Sequence, residues 1–136
     1  MNALEIKLLD TSATDYSAAV ARLYKLAGWL DAPEPDLSAI GNALKNSYCC
    51  FGAFDGKTLV GFFRAISDGV GEAYLLELFV EQKHRRGGAG GALTAAIIAH
   101  LKSRGINWIT CISTPEAKSL YAKHGAIMQN HVPFRF

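Results

Sequence analysis

The order of strand and helix patterns along this sequence predicts an α/β fold, in which a mixed sheet carries helices on both faces. Three observations support that prediction. Two aromatic and β-branched runs flank a tight turn, a glycine-rich segment joins an apolar strand to a strong helix pattern, and a second strand-to-helix pattern follows. The length is sufficient for one hydrophobic core and short for two, so residues 1–136 are expected to form a single domain.

The first part of the chain predicts a strand, a helix, a loop and a second helix. Residues 4–9 alternate weakly as an opening strand, and Thr14 is expected to cap a helix that ends near Leu26. Two prolines place residues 29–36 in a loop, and a shorter helix is expected over residues 37–45.

The middle of the chain predicts a hairpin and a third strand. Residues 48–54 and 58–66 are rich in strand-forming residues, and Asp55-Gly56 between them predicts a two-residue type I′ turn. Residues 73–80 are almost continuously apolar, which predicts a strand that is buried on both faces. Glu77 is the one charged residue in that run.

The last part of the chain alternates helices and strands. Apolar residues at four-residue spacing predict a helix over residues 93–101 that stops near Gly105. Residues 106–113 are expected to form a buried strand, and a Thr-Pro pair then opens a helix over residues 114–124. Residues 126–136 are expected to form a last strand or a bent pair of strands.

Charge, cysteine content and hydropathy exclude several classes of protein. The net charge of +2 is small and the basic residues form no long tract, so no nucleic-acid partner is expected. Cys49, Cys50 and Cys111 contain no C-x-x-C pair, and the four scattered histidines have no metal-binding spacing, so no disulfide framework or metal is expected. Without a long apolar run or a signal-peptide pattern, the protein is expected in the cytoplasm and not in a membrane.

The glycine segment is the strongest candidate for a binding site. Four glycines stand among the five residues 87–91, where a strand leads into a helix, although glycine weakens helices. A helix N-terminus offers free N–H groups to a phosphate, and Arg85 and Arg86 add positive charge. The segment fits neither the P-loop nor the dinucleotide fingerprint, and a tight turn without a ligand is the alternative.

Two motifs carry a resemblance to a known family. Residues 80–90, Val-Glu-Gln-Lys-His-Arg-Arg-Gly-Gly-Ala-Gly, resemble the R-x-x-G-x-G signature of the GNAT superfamily of N-acetyltransferases. Residues 117–125, Ala-Lys-Ser-Leu-Tyr-Ala-Lys-His-Gly, are similar to that family's second motif. The resemblance implies a mostly antiparallel central sheet with splayed middle strands. It also implies transfer of an acetyl group from acetyl-CoA to a primary amine, on a small molecule or a lysine side chain, in a ternary complex.

The resemblance also implies where coenzyme A would bind. The pyrophosphate would lie on the backbone amides of residues 86–91, and the pantetheine arm would pair with residues 78–80 like an extra strand. Thr114 stands where the family has asparagine, and it either contacts the cofactor or caps the helix. The residues that the resemblance implies for cofactor binding are Leu78, Phe79, Val80, Arg85, Arg86, Gly87, Gly88, Ala89, Gly90, Gly91 and Thr114.

Two residues are the candidates for proton transfer. The resemblance places Tyr121 near the thioester sulfur as the general acid, and a buried packing role is its alternative. Glu77 is the candidate base, because a carboxylate within an apolar strand should have a raised pKa. Its alternative is to pair with a cation such as Arg64 or to orient the substrate, and Glu72, His124 and ordered water are the other candidates for the base. N–H groups near Phe79 and Val80 are expected to stabilise the oxyanion.

The acceptor and the assembly are less directly readable. Residues 29–36 hold a tryptophan and three carboxylates, so Trp29 and Glu34 are expected to bind a cationic amine. An ordinary solvated acidic loop is the alternative. The segment after Gly125 is short, and a homodimer that completes the sheet is therefore expected. An acyl-CoA sensor without catalysis is the competing function on the same fold, and a nucleotide-binding regulator comes third.

Overall fold

The computed structural model describes residues 3–136 and contains one five-stranded sheet with helices on both faces. The elements are β1 (Glu5–Leu8), α1 (Ser17–Leu26), α2 (Leu37–Asn46), β2 (Cys49–Asp55), β3 (Thr58–Ser67), β4 (Glu72–Val80), α3 (Ala89–Ser103), β5 (Trp108–Cys111) and α4 (Lys118–Tyr121). Short 3₁₀ helices at Gln82–Gly87 and Pro115–Ala117 precede α3 and α4.

The strands lie in the sheet in the order in which they occur in the chain. The pairs β1–β2, β2–β3 and β3–β4 are antiparallel, whereas β4 and β5 are parallel. A parallel neighbour requires a crossover connection, which α3 provides. The predicted α/β fold with a mixed, mostly antiparallel sheet is confirmed.

Two hydrophobic clusters cover the two faces of the sheet. Phe62 and Phe63 are consecutive residues of β3 with no exposed surface, and they belong to different clusters because successive strand side chains point to opposite faces. The Phe63 cluster contains the buried apolar side chains of α3, and the Phe62 cluster contains those of α1 and α2.

The prediction that Thr14 caps the first helix is wrong. Helix α1 begins at Ser17, and the Asp15 carboxylate accepts hydrogen bonds from the Ser17 backbone N–H at 2.9 Å and from its hydroxyl at 2.6 Å. Helix α2 is capped in the ordinary way, since the Asp36 side chain accepts from the Ala39 N–H at 3.0 Å.

The hairpin is confirmed, but its turn is not of the predicted type. Asp55 pairs with Thr58, so the two turn residues are Gly56 and Lys57. Only Gly56 has a positive φ, of 59°. A positive φ at the first position alone is what a type II′ turn requires, whereas a type I′ turn requires it at both.

Burial along β4 and β5 is lower than predicted. The first half of β4 alternates, with Ala73 buried and Tyr74 37% exposed. The short strand β5 is the edge of the sheet, and its Trp108 is 54% exposed. Parallel pairing therefore does not bring burial on both faces here, because β5 has no further strand beside it within residues 3–136.

The prediction of a last strand over residues 126–136 is also wrong. This segment has no regular secondary structure, and its Val132, Phe134 and Phe136 are largely exposed. Pro133 lacks the N–H that a central position in a strand ladder needs. A strand pattern needs a partner edge, and the segment does not pair with β5.

Across the described part of the chain, residues 3–136, every helix falls short of the length and apolar character that crossing a membrane would need.

Candidate functional site

The sheet opens between β4 and β5. Residues 72–75 of β4 pair with residues 108–111 of β5, and the pairing stops there. Residues 76–80 of β4 continue beyond this point with a strand partner only on the β3 side. The predicted splay is therefore present, and it leaves one edge of β4 free for a ligand.

The register shows which backbone groups face the free edge. The Glu81 N–H donates to the Val60 carbonyl at 2.8 Å, and hydrogen-bonding directions alternate along a strand. Phe79, opposite Phe62, therefore faces β3, while Leu78 and Val80 face the opening. Of the two N–H groups expected near the oxyanion, that of Phe79 is thus directed away from the opening and that of Val80 towards it.

Arg85 uses one of these backbone groups. Its Nε donates to the Val80 carbonyl at 2.8 Å, and its guanidinium carbon lies 5.3 Å from the centre of the Phe79 ring. The Arg85 side chain is thus tied to the end of β4. The Val80 carbonyl is thus occupied, and the Val80 N–H is left for a ligand in the opening.

A β-bulge interrupts β4 at the start of its free edge. The register between β3 and β4 shifts, so that Glu77 and Leu78 lie opposite the single residue Phe63. Glu77 has a φ of 66°, a backbone conformation that residues other than glycine rarely adopt. Asn130 is the other residue besides glycine with positive φ in the described range 3–136.

The Glu77 carboxylate is held by two side chains. Arg64 donates through Nε to Oε2 and through Nη2 to Oε1, both at 2.8 Å, and the Tyr24 hydroxyl also donates to Oε2. Burial raises the pKa of Glu77, but the hydrogen bonds from Arg64 and Tyr24 and the charge of Arg64 outweigh it and leave the pKa lowered. The expectation of a raised pKa is wrong, and the alternative pairing with Arg64 is confirmed.

The glycine segment forms an open mouth at the start of α3. Gly88 has a φ of 81° and joins the 3₁₀ turn to the helix. A Cβ at Gly87 or Gly88 would meet nothing within 4 Å, so a ligand can approach the backbone here. Gly90 has a packing role instead, because a Cβ there would stand 2.9 Å from Leu120 Cδ1.

The electrostatics of this mouth suit an anion. The first N–H groups of a helix have no partner within it, and the first turn of α3 contains no acidic residue. The positive end of the 15-residue helix dipole adds to them. Arg86 is exposed beside the mouth.

Glu81 follows directly after the last residue of β4. Its carboxylate lies 3.2 Å from Arg22 Nη2, which also donates to the Leu59 carbonyl at 2.7 Å. The hydrogen bond from Arg22 lowers the pKa of Glu81. An ion pair to α1 thus anchors the chain as it leaves β4.

Tyr121 lies where β4 and β5 separate. Its ring is half-buried, with its centre 6.3 Å from that of Phe63. Burial, and then the neighbouring Cys111 and Tyr74, raise the pKa of Tyr121 to about 12, so the phenol stays protonated near neutral pH. Tyr121 therefore makes the packing contact of a core aromatic residue, and its hydroxyl also has a proton to donate.

The structure separates the two predicted acceptor residues. Trp29 packs near β4, with ring centres 5.5 Å from Tyr24 and 5.9 Å from Phe79, and it is 47% exposed. Glu34 is exposed in the loop and has no hydrogen bond or ion pair to any residue of the described range. Only Trp29 therefore lies against the strand that carries the candidate site.

Thr114 does not act as a side-chain cap. It is exposed and precedes the 3₁₀ helix, and its hydroxyl makes no capping hydrogen bond. The alternative role as a cap is therefore wrong for its side chain.

Sequence reasoning missed Tyr24 as part of the site. It lies on the packed face of α1, and the spacing of 53 residues to Glu77 gave no signal of their contact. Tyr24 and Arg64 become recognisable only when α1 and β3 pack beside β4.

Cysteines and metal ligands add nothing to the site. Burial, followed by the neighbouring Cys50, raises the pKa of Cys49 to about 12, so this thiol is a poor nucleophile. Within the residues that the structure describes, no group of three or more His, Cys, Asp or Glu side chains is placed to hold a metal ion.

Comparison with known proteins agrees with this geometry. The profile of the acetyltransferase (GNAT) family matches residues 10–126. An uncharacterized N-acetyltransferase of Gracilaria tenuistipitata var. liui is 30% identical over 110 residues, which are 78% of this chain. The chain spans 59% of the length of that relative.

Solved structures share the fold. A protein of Xanthomonas campestris pv. campestris described as belonging to the GNAT family is 28% identical, with a TM-score of 0.72 over 97% of this chain and 96% of its own. An aminoglycoside acetyltransferase from an uncultured soil metagenomic sample, in complex with trehalose, is 19% identical, with a TM-score of 0.80 over 98% and 95% of the two chains. At that identity the second similarity shows the fold alone.

Proposed function

Because the chain belongs to the GNAT family of acetyltransferases, we propose that it transfers an acetyl group from acetyl-CoA to a primary amine by direct attack in a ternary complex. The observation that supports this most directly is the continuity of two open features. The free edge of β4 runs from the bulge at Glu77 to Val80, and the chain then forms the exposed glycine mouth of α3.

The residues of these two features fit coenzyme A. In the proposal, the Leu78 carbonyl and the Val80 N–H pair with the pantetheine amides, as a strand edge pairs with a peptide. The N–H groups of residues 86–91 hold the diphosphate, with Arg86 beside them and Arg85 fixing the end of the strand. Thr114 is exposed and keeps a free hydroxyl for a cofactor contact.

The chemistry requires three further contributions from the protein. The thioester supplies the activated acetyl group. The Leu78 N–H is directed to the opening, where it stabilises the oxyanion that forms during attack. Tyr121 donates its proton to the departing sulfur, since its pKa of about 12 keeps it protonated until the thiolate forms.

Glu77 is proposed to take the amine proton through a water molecule. Its carboxylate accepts three hydrogen bonds from Arg64 and Tyr24, and a carboxylate has about four acceptor positions. The remaining position lies on Oε1, and the side chain is 27% exposed. A lowered pKa keeps the group ionised near neutral pH and ready to accept a proton, although it makes the base weak.

The acceptor is proposed to be a cationic amine bound beside Trp29. The face of the Trp29 indole attracts an ammonium group, and the half-exposed ring leaves room for one. Polyamines, arylalkylamines and lysine side chains all carry such a group. Glu34 would contribute at longer range, from the exposed part of the loop.

Three measurements test the proposal. Calorimetry with coenzyme A and acetyl-CoA should show binding, and thiol release across a panel of amines should show turnover. Mass spectrometry of an amine library incubated with acetyl-CoA should then identify the acetylated product. Binding without thiol release would favour the sensor over the enzyme, and an absence of binding would overturn the assignment of the site.

We propose further that the protein acts in the cytoplasm as a homodimer. Its cysteines are free, as a reducing compartment maintains them. The outer edge of β5 and the exposed Val132, Phe134 and Phe136 present unpaired backbone and apolar surface that a second copy would cover. Light scattering should give a dimer, and removal of residues 132–136 should give a monomer. A monomeric full-length chain would contradict the assembly.

A further inference from the structure

The left-handed backbone of Glu77 requires an explanation. A glutamate with a φ of 66° is strained, and such a conformation persists only where the surrounding structure holds it. Glycine or asparagine would adopt this conformation more readily. The presence of glutamate therefore indicates that its side chain performs a task that a smaller residue could not.

The contacts of the side chain show how the conformation is held. Arg64 lies on β3, Tyr24 on α1 and Glu77 on β4, so three elements converge on one carboxylate. The Arg64 side chain is only 11% exposed, and its Nη1 donates to the Ser47 hydroxyl at 3.2 Å. Ser47 thus holds one arm of the guanidinium, while Nε and Nη2 bind Glu77.

The donors remain in the required protonation state. The hydrogen bonds that Arg64 donates to Glu77, together with the charge of Glu77, raise the pKa of Arg64 against the effect of burial. Burial, and then the hydrogen bond to Glu77 and its charge, raise the pKa of Tyr24. Arg64 therefore stays charged and the Tyr24 hydroxyl keeps its proton near neutral pH. Both continue to donate hydrogen bonds to the Glu77 carboxylate.

The bulge determines the direction of the next amide. Glu77 and Leu78 together oppose Phe63, and the backbone angles of Glu77 set the orientation of the peptide that contains the Leu78 N–H. If Glu77 relaxed to an ordinary strand conformation, that peptide would rotate. The Leu78 N–H is directed to the opening between β4 and β5.

We propose that Arg64 and Tyr24 are positioning residues that act through Glu77, holding its left-handed backbone so that the Leu78 N–H is aimed at the thioester carbonyl. This inference rests on the proposed acetyl transfer. It assigns to Arg64 a function beyond an ion pair for stability, since apolar residues of similar size often serve that purpose equally well. It also links α1, which carries Tyr24 beside Trp29, to the strand that would bind the acyl donor.

The kinetic test uses a double-mutant cycle. Arg64→Met should lower kcat on the order of 10²-fold, the usual loss when an oxyanion donor is misplaced, with the affinity for coenzyme A unchanged. Glu77→Gly removes the carboxylate that Arg64 and Tyr24 bind. Adding Arg64→Met to the Glu77→Gly variant should therefore change kcat by less than about 2-fold. Arg64→Lys should recover part of the loss, because it keeps the charge without the two-pronged contact.

Tyr24→Phe keeps the ring and removes only the hydroxyl, so it serves as the variant least disturbing to folding. It should lower kcat without changing the affinity for coenzyme A. A crystal structure of Arg64→Met should show Glu77 with a negative φ.

The outcomes separate the inference from the function on which it rests. Normal wild-type turnover with an unchanged kcat in Arg64→Met would overturn the inference alone. The inference would also be overturned if Arg64→Met lowered kcat equally in the wild-type and Glu77→Gly backgrounds. It would be overturned too if Glu77 kept its positive φ in the Arg64→Met structure. Failure of the wild type to release thiol with any amine would overturn the proposed transfer itself.

Discussion

Leu120 of α4 packs against the backbone of Gly90 in α3 so closely that a Cβ on Gly90 would stand 2.9 Å from Leu120 Cδ1. The two residues come from the two motifs of the sequence, the glycine mouth and the helix that carries Tyr121. Their contact fixes the distance between the proposed diphosphate site and the proposed acid. Gly90 is therefore required by packing, whereas Gly87 and Gly88 leave their surface open to a ligand.

Replacement of Gly90 by alanine should affect activity more than stability. Alanine favours a helix by about 1 kcal/mol, and the forced movement of Leu120 costs about the same, so the free energy of unfolding should change by less than about 1 kcal/mol. The displaced Leu120 should shift Tyr121 and lower kcat. Urea denaturation and thiol release measure the two effects. Gly91→Ala is the stability control, because its Cβ would be 3.8 Å from His124 Nε2, an ordinary contact.

Gly87 and Gly88 should differ in stability but not in their effect on coenzyme A. Gly88→Ala places a side chain at a φ of 81° and should lower the free energy of unfolding by about 1–2 kcal/mol. Gly87→Ala meets nothing within 4 Å and should fold like the wild type. Both should weaken coenzyme A binding in calorimetry, because the added methyl stands where the diphosphate approaches. Unchanged affinity in both variants would contradict the position of the site.

The acid role of Tyr121 predicts a loss of turnover without a loss of binding. Tyr121→Phe should lower kcat by about 10²-fold or more at saturating acetyl-CoA, which is a common contribution of general acid catalysis. Its ring packing against Phe63 should be retained, so the thermal midpoint should stay close to that of the wild type. Tyr74→Phe, a partly exposed phenol on β4, is the matched control. Full turnover by Tyr121→Phe would reduce this residue to a packing role.

The lowered pKa of Glu77 predicts a pH-dependent contribution to stability. A carboxyl with a depressed pKa in the folded state stabilises the fold above its ordinary value of 4.5, and this contribution is lost as the pH falls through the lowered value. Glu77→Gln should therefore be less stable than the wild type at pH 7, by on the order of 2 kcal/mol, since it breaks a partly buried ion pair. The difference should narrow as the solution is acidified.

Urea denaturation at several pH values measures this effect. Glu72→Gln, at an exposed position at the start of the same strand, should resemble the wild type at pH 7. A stability difference for Glu77→Gln that stays constant down to strongly acidic pH would show that the carboxylate charge does not carry the effect.

The acceptor proposal predicts separate effects on the two substrates. Trp29→Ala should raise KM for the amine by about 10-fold, a value between those of exposed and desolvated cation–π contacts, and leave the affinity for acetyl-CoA unchanged. Glu34→Gln should have a smaller effect, because this side chain is exposed and distant contacts are screened. An equal rise in KM for acetyl-CoA in Trp29→Ala would place the indole at the donor site instead.

The element order and the glycine mouth were predictable because their signals are local. Apolar spacing identified α3, the strand runs identified the β2–β3 hairpin, and the glycines marked the start of α3. Predictions were wrong where two nearby side chains compete for one hydrogen bond. Asp15, and not Thr14, accepts the hydrogen bond from the first backbone N–H of α1. The prediction of a strand over residues 126–136 was wrong for a different reason, because a strand pattern does not specify whether a partner edge is within reach.

The amino-acid sequence by itself determined the family motifs, the alternation of strands and helices, and the segment at which an anion would bind. Those features depend on residues within a few positions of one another. Only the tertiary structure decided that Glu77 bulges out of β4 and is gripped by Arg64 and Tyr24, which lie 13 and 53 residues away along the chain. Such contacts depend on how the strands register and how α1 packs across the sheet, and side-chain spacing in the sequence does not encode either.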